Sequence, residues 1–251
     1  MNETIINIPK PQNEPVLEYA PGSTERTLII KELEKLRKKK TEIMPIVAGK
    51  KIRTNDVGKV VLPHNHQHIL ATYHKVTEEV VKKAIEHATD AKPIWEDFTW
   101  ETRGSLALKA AELIAKKYRF KLNAATMLGQ SKNVYQAEID SACETIDFLR
   151  FNAYYMQKIY SNQPDASPGT LNRIEYRPLE GFIFAVTPFN FTAIAANLPT
   201  APCIMGNVIL WKPATTSLLS NYILMEILME AGFPKGVINF LPGSGKLMSD
   251  I

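Results

Sequence analysis

Three short apolar runs constrain this chain most: Phe182 to Val186, Val208 to Trp211 and Val237 to Leu241. Each has strand length, and the absence of polar alternation predicts strands buried on both faces. Between the second and third runs, Leu218, Leu219, Tyr222, Ile223 and Leu228 recur at helical spacing up to Gly232, a residue that terminates helices. The link from Phe191 to Gly206 reads as a less regular helix, interrupted by Pro199 and Pro202. The alternation therefore predicts an α/β fold: a Rossmann-like parallel sheet with right-handed crossovers, whose ligands sit beyond the carboxyl ends of the strands.

Three turns meet at that edge: Thr187-Pro188-Phe189-Asn190, Lys212-Pro213-Ala214-Thr215 and Pro242-Gly243-Ser244-Gly245. Lys212 follows a buried run directly, so its ammonium can emerge at the strand end and donate to hydroxyls or phosphates. The amide of Asn190 can donate to a carbonyl oxygen that gains negative charge. Position alone separates neither from a surface lysine or a turn asparagine. Gly243-Ser244-Gly245-Lys246 looks like the end of a phosphate-binding P-loop, but Phe240 replaces the first glycine and Leu247 the metal-binding hydroxyl. The six-residue G-x-G-x-x-G fingerprint fails as well, because position 248 is Met.

The preceding residues surround this unit. Residues 1 to 22 carry four prolines and read as an extended arm over another surface. Ser23 to Lys40 reads as a helix with Leu28, Ile29, Leu33 and Leu36 inward and a lysine-rich outer face. That basic run has no interleaved aromatics and is read as a solvated face with no nucleic-acid partner. Short strands are expected over 46 to 76, including His64-Asn65-His66-Gln67-His68, a polar strand edge with no acidic or cysteine ligand nearby to complete a metal site. Three helices should follow: one from Thr77 with Val80, Val81, Ala84, Ile85 and Ala88 inward, one with Leu106, Ala110, Leu113 and Ile114, and one from about Val134 to Met156. Residues 161 to 178 break the helix, and Thr170 to Tyr176 alternates as a strand of a protruding arm. Two distant cysteines, Cys143 and Cys203, favour a reducing compartment and read as packing residues. No targeting peptide or membrane-spanning run is seen, so the expected location is cytoplasmic, or the mitochondrial matrix in a eukaryote.

The run Thr187-Pro188-Phe189-Asn190-Phe191, the run Met205 to Pro213 and Ala231-Gly232-Phe233-Pro234 resemble the aldehyde dehydrogenase family, whose fold binds its dinucleotide without the usual glycine fingerprint. Residues 11–15, 136–140, 146–153 and 175–181 are similar to the branch that oxidises L-glutamate gamma-semialdehyde to glutamate in proline breakdown. The resemblance implies NAD as cofactor, an aldehyde substrate and, for an intact enzyme, a homo-oligomer. It divides the chain into an arm with strands and helices (1–160), an oligomerisation β arm (161–178) and the βαβαβ part of the cofactor domain (179–251).

It also implies roles. Asn190 would stabilise the oxyanion, and Lys212 would bind the adenosine ribose. Thr187, Pro188, Phe189, Pro213 and Gly243 would line the cofactor, while Thr187, Phe191 and Glu138 would face the substrate. A solvent-facing Glu138 is the alternative. Thr215 replaces the family's frequent ribose-binding glutamate, which leaves the choice between NAD and NADP open. The family's nucleophilic cysteine and water-activating glutamate belong to segments after Ile251, so the chain alone is expected to be inactive. The competing reading is a non-catalytic dinucleotide-binding or subunit-interaction module.

Overall fold

The computed structural model describes residues 6–251. The arm expected over 1 to 22 has no helix or strand from residue 6 onward; its first five residues lie outside the described range. It is tied down at Asn13 and Glu14, which donate to the Asp147 carboxylate at 2.7 and 2.8 Å. Helix α1 (Thr24–Lys38) starts at Ser23, whose hydroxyl accepts from the Arg26 N–H. It buries Ile29 and Leu36 but leaves Leu28 exposed, a narrower stripe than expected.

The strand region divides between two sheets. β1 (Thr41–Ile43), β4 (Val57–Leu62) and β5 (Asn65–His74) form a three-stranded sheet with β5 central, parallel to β1 and antiparallel to β4. The histidine-rich run lies at the exposed start of β5, with His64 Nδ1 3.1 Å from the Ser131 hydroxyl. β2 (Ile46–Val47) and β3 (Lys50–Lys51) instead join a second sheet of order β3-β2-β8-β7-β6, built from β6 (Ile183–Val186), β7 (Ile209–Lys212) and β8 (Ile238–Phe240). β6, β7 and β8 are mutually parallel. Their crossovers are α7 (Thr192–Ile204), which continues through both prolines, and α8 (Leu218–Ala231), which ends at Gly232 with φ 107°. Right-handed crossovers between successive neighbours put both helices on one face. α2 (Glu78–Glu96) packs against β2, β7 and β8, and α9 (Gly245–Ser249) closes the chain.

β7 and β8 are buried as the apolar runs predict, with Trp211 edge-on to Phe240 at 5.2 Å between ring centroids. β6 corrects the expectation. It is an edge strand bonded only to β7, and Phe184 and Val186 are 38% and 54% exposed. An apolar run reports that a strand is suited to burial, not which neighbours cover it.

The helical region holds one more element than expected. α3 (Trp100–Leu113) continues through a π turn, Ile114–Tyr118, into α4 (Arg119–Gln130). The next helix begins with α5 (Val134–Ala137), passes through a π segment, Glu138–Cys143, and continues as α6 (Glu144–Ser161). Its predicted stripe of Ala142, Thr145, Ile146, Leu149 and Ala153 is buried throughout. Thr170 to Tyr176 does not form a strand: one bridge, Ser167 to Thr170, is its pairing among the described residues, and Leu171 is 87% exposed. A strand needs a neighbour for its peptide groups. Here the Gln163 side chain serves Ile174, accepting from its N–H at 2.8 Å and donating to its carbonyl at 3.2 Å, and also donates to the Tyr160 carbonyl at 3.2 Å.

Candidate functional site

The ends of β6, β7 and β8 are linked by backbone bonds. Val186 lies opposite Lys212, Thr187 N donates to the Lys212 carbonyl at 3.1 Å, and Leu241 N donates to the Trp211 carbonyl at 2.8 Å. The three turns therefore form one continuous rim. Thr187 is buried, and its hydroxyl oxygen accepts from the Trp211 indole at 3.0 Å, which leaves its O–H free to donate. Pro213 is packed behind the rim.

Lys212 emerges from this edge half-buried. Among the described residues no carboxylate lies within ion-pair distance of it, and desolvation pushes its pKa below the ordinary lysine value. An ammonium taken partly out of water without a partner has unmet hydrogen-bonding capacity. Two glycines lie in the turn after β8. A Cβ at Gly243 would stand 2.8 Å from Val76 Cγ2, and that approach allows Val76 N to donate to the Pro242 carbonyl at 2.9 Å. A Cβ at Gly245 would sit 3.9 Å from Lys212 Cε. The P-loop-like residues do something local: the Ser244 hydroxyl accepts from Leu247 N and caps α9.

The turn after β6 carries an exposed Phe189, Asn190 and Phe191 before α7 begins. The Asn190 side-chain amide has no hydrogen-bond partner among the described residues, whereas its backbone is held. With its amide oriented to suit its neighbours, Gln130 donates to the Phe189 and Asn190 carbonyls at 3.3 Å each and accepts from the Thr192 and Ser220 hydroxyls at 2.8 and 3.3 Å. Lys132 also donates to the Asn190 carbonyl. The turn is thus positioned from behind while its functional amide faces outward.

Glu138 is not part of this rim. Its side chain is fully buried and held by four groups: Arg119, the Tyr19 hydroxyl at 2.6 Å, the Asn123 amide at 2.7 Å and Leu17 N at 2.9 Å. Burial alone would raise its pKa; the hydrogen bonds from Arg119, Tyr19 and Leu17 reverse this and hold it below the usual carboxylate value. Arg119 also reaches Glu14 at 2.6 Å, which pairs with Arg150 at 2.6 Å. This network fastens the amino-terminal arm to α4 and α6.

The free carboxylate is six residues further on, at the start of α6. Glu144, half-buried and in no ion pair among the described residues, has its pKa raised by desolvation and by the nearby Asp140 charge. It lines a cavity of about 540 Å³ with Asn13, Asp147, Phe148, Phe151 and Tyr155. Sequence reading missed Gln130, Lys132, Asp140 and Glu144, because no local pattern signals a group that acts on another element's turn. Both cysteines are buried as expected. Desolvation pushes the Cys143 thiol up to about 12 and raises that of Cys203 still further.

Rim and turn together define the class. The aldehyde dehydrogenase family model matches residues 51–251, and the chain belongs to that family. It is 51% identical over 97% of its length to the mitochondrial delta-1-pyrroline-5-carboxylate dehydrogenase of Dictyostelium discoideum, and 43% identical over 96% to the human protein of that name. It also matches the Mycobacterium tuberculosis delta-pyrroline-5-carboxylate dehydrogenase solved with NAD, at a TM-score of 0.98 and 46% identity over the whole chain. The chain spans 44% and 43% of those two relatives and 47% of the solved chain. Among the described residues no helix is long and apolar enough to cross a membrane.

Proposed function

We propose that this chain supplies the cofactor rim and the oxyanion donor of an enzyme that oxidises L-glutamate gamma-semialdehyde to glutamate with NAD. One observation carries the reading: an unpartnered ammonium, Lys212, and an outward-facing amide, Asn190, stand at the ends of adjacent parallel strands. The relatives' names point to the same substrate, and a relative was solved with NAD bound.

The residues fit such a cofactor. Lys212 would donate to the hydroxyls of its adenosine ribose, a polar, partly desolvated contact. Gly243 and Pro213 would line it, and the Pro188–Phe189 turn would pack at its other end. The bound dinucleotide supplies the hydride acceptor. Asn190 would donate to the aldehyde oxygen as charge develops there, Phe191 would wall the approach, and the Thr187 O–H would face the junction of cofactor and substrate. Glu144, rather than Glu138, is the carboxylate left to meet a substrate ammonium. Both thiols within residues 1–251 are shielded and hard to ionise, so these residues alone should give no turnover. Residues 161–178, with Leu171 exposed, would offer the surface for a second copy.

The test is NADH formation by the full-length gene product. Glutamate gamma-semialdehyde should be oxidised, and Asn190→Ala should lower kcat about 10²–10³-fold, the range for loss of one oxyanion donor, with no loss of thermal stability. No NADH, or an unchanged kcat in the variant, would overturn the assignment.

A further inference from the structure

Lys132 follows α4 on the loop to α5, and its ammonium reaches three groups at once. It donates to the Asp140 carboxylate and to the Asn190 carbonyl, and it lies 4.2 Å from the centroid of the Phe191 ring. An ammonium has three N–H donors, so this cation is fully used. Asp140 is itself 3% exposed, midway along the π segment, with its carboxylate near the backbone N–H groups of Thr192 and Ala193 in the first turn of α7; its Oδ2 accepts from Lys132 and its Oδ1 has no hydrogen-bond partner among the described residues. That turn has no side-chain cap of its own, since Phe191 occupies the N-cap position. A carboxylate from another helix therefore supplies the negative charge that a helix start favours.

We propose that Lys132, with Asp140, is a positioning residue for Asn190. The ion pair adds to the tie that Gln130 makes between the Asn190 carbonyl and Thr192. Asp140 anchors Lys132 and sets its charge against the first turn of α7, and Lys132 holds the Asn190 carbonyl, so the backbone before α7 is tied while the Asn190 side chain stays free. The cation–π contact with Phe191 holds the next residue in place as well. Burial would otherwise leave Asp140 uncompensated, and Lys132 supplies its counter-charge. The inference rests on the oxyanion role proposed for Asn190. Catalytic donors misplaced by even 1 Å lose about 10²-fold in rate, and a surface loop without such ties has no means of holding that tolerance.

Lys132→Met keeps the length and apolar stem and removes all three donors; Lys132→Arg retains the charge. In the full-length gene product, Lys132→Met should lower kcat by roughly 10- to 100-fold with KM for the aldehyde and Kd for NAD within about twofold, and Lys132→Arg should recover a large part of kcat. Amide hydrogen exchange over residues 189–193 should rise at least about tenfold in Lys132→Met, with exchange across α2 and β7 unchanged. Unaltered kcat and unaltered exchange would overturn the proposal, as would a uniform rise in exchange over the whole fold. If wild-type protein oxidises no aldehyde, the oxyanion reading of Asn190 falls, and exchange at 189–193 still decides whether Lys132 holds the turn. If Asn190→Ala loses kcat while Lys132→Met does not, the positioning role falls and the oxyanion reading stands.

Discussion

The polar groups around Glu138 and those along the strand-end rim are opposite in kind. Glu138, Arg119, Glu14, Arg150 and Tyr19 satisfy one another inside the protein. Lys212 and the Asn190 side chain have no hydrogen-bond partner among the described residues. Buried polar groups are normally paired, so a cluster in which only the Asn123 amide oxygen lacks a partner needs little further, and an unpaired ammonium at a strand end marks where a ligand would complete it. Glu138 is the more deeply enclosed and is held by its neighbours, and Glu144 carries no ion pair among the described residues.

If that contrast is right, substitutions in the two regions should separate stability from binding. Arg119→Met should have the largest effect, because it leaves Glu138 as an uncompensated buried charge; a loss of about 3–5 kcal/mol is expected in chemical denaturation. NAD affinity of the fraction still folded should be unchanged. A stability loss below about 1 kcal/mol would show that the network is dispensable. Asn190→Ala, as set out above, should do the reverse, removing turnover and sparing the fold. The smallest effect belongs to Cys143, which lies beside Glu138 with a thiol pushed up to about 12. At pH 8 the native protein should resist alkylation there and react once unfolded. Rapid labelling of native protein at Cys143 would mean that the Glu138 region opens readily.

The parallel β6-β7-β8 unit was legible because its strands are unbroken apolar runs and because Gly232 ends α8 where left-handed backbone is required, although α8 is buried on nearly every face and not along the single stripe expected. The same reading put Asn190, Lys212 and Gly243 on one rim. Other features could not be read for identifiable reasons. α4 buries Asn123, Thr126 and Gly129 along with Leu122 and Leu128, so its inner face has no clean apolar stripe. The π segment at 138–143 departs from the 3.6-residue turn, so side chains around it are rotated by up to about 100° relative to a regular helix. Glu138, the first residue of that segment, is held by the arm through Leu17 and Tyr19. β6 looked identical in kind to β7, since sheet order is a property of pairing partners and not of the strand itself. Lys132 carries no local signal, because its three contacts come from the π segment and the turn before α7.

The central claim is that the strand-end rim is a cofactor site completed by Lys212, and calorimetric titration of NAD into residues 1–251 and into their Lys212→Ala variant tests it most directly. Hydrogen bonds involving a charged group contribute about 1.5–3 kcal/mol. The variant should therefore bind NAD at least about tenfold more weakly, with an unchanged melting temperature. Equal affinity in the two proteins would place the dinucleotide elsewhere and contradict the account.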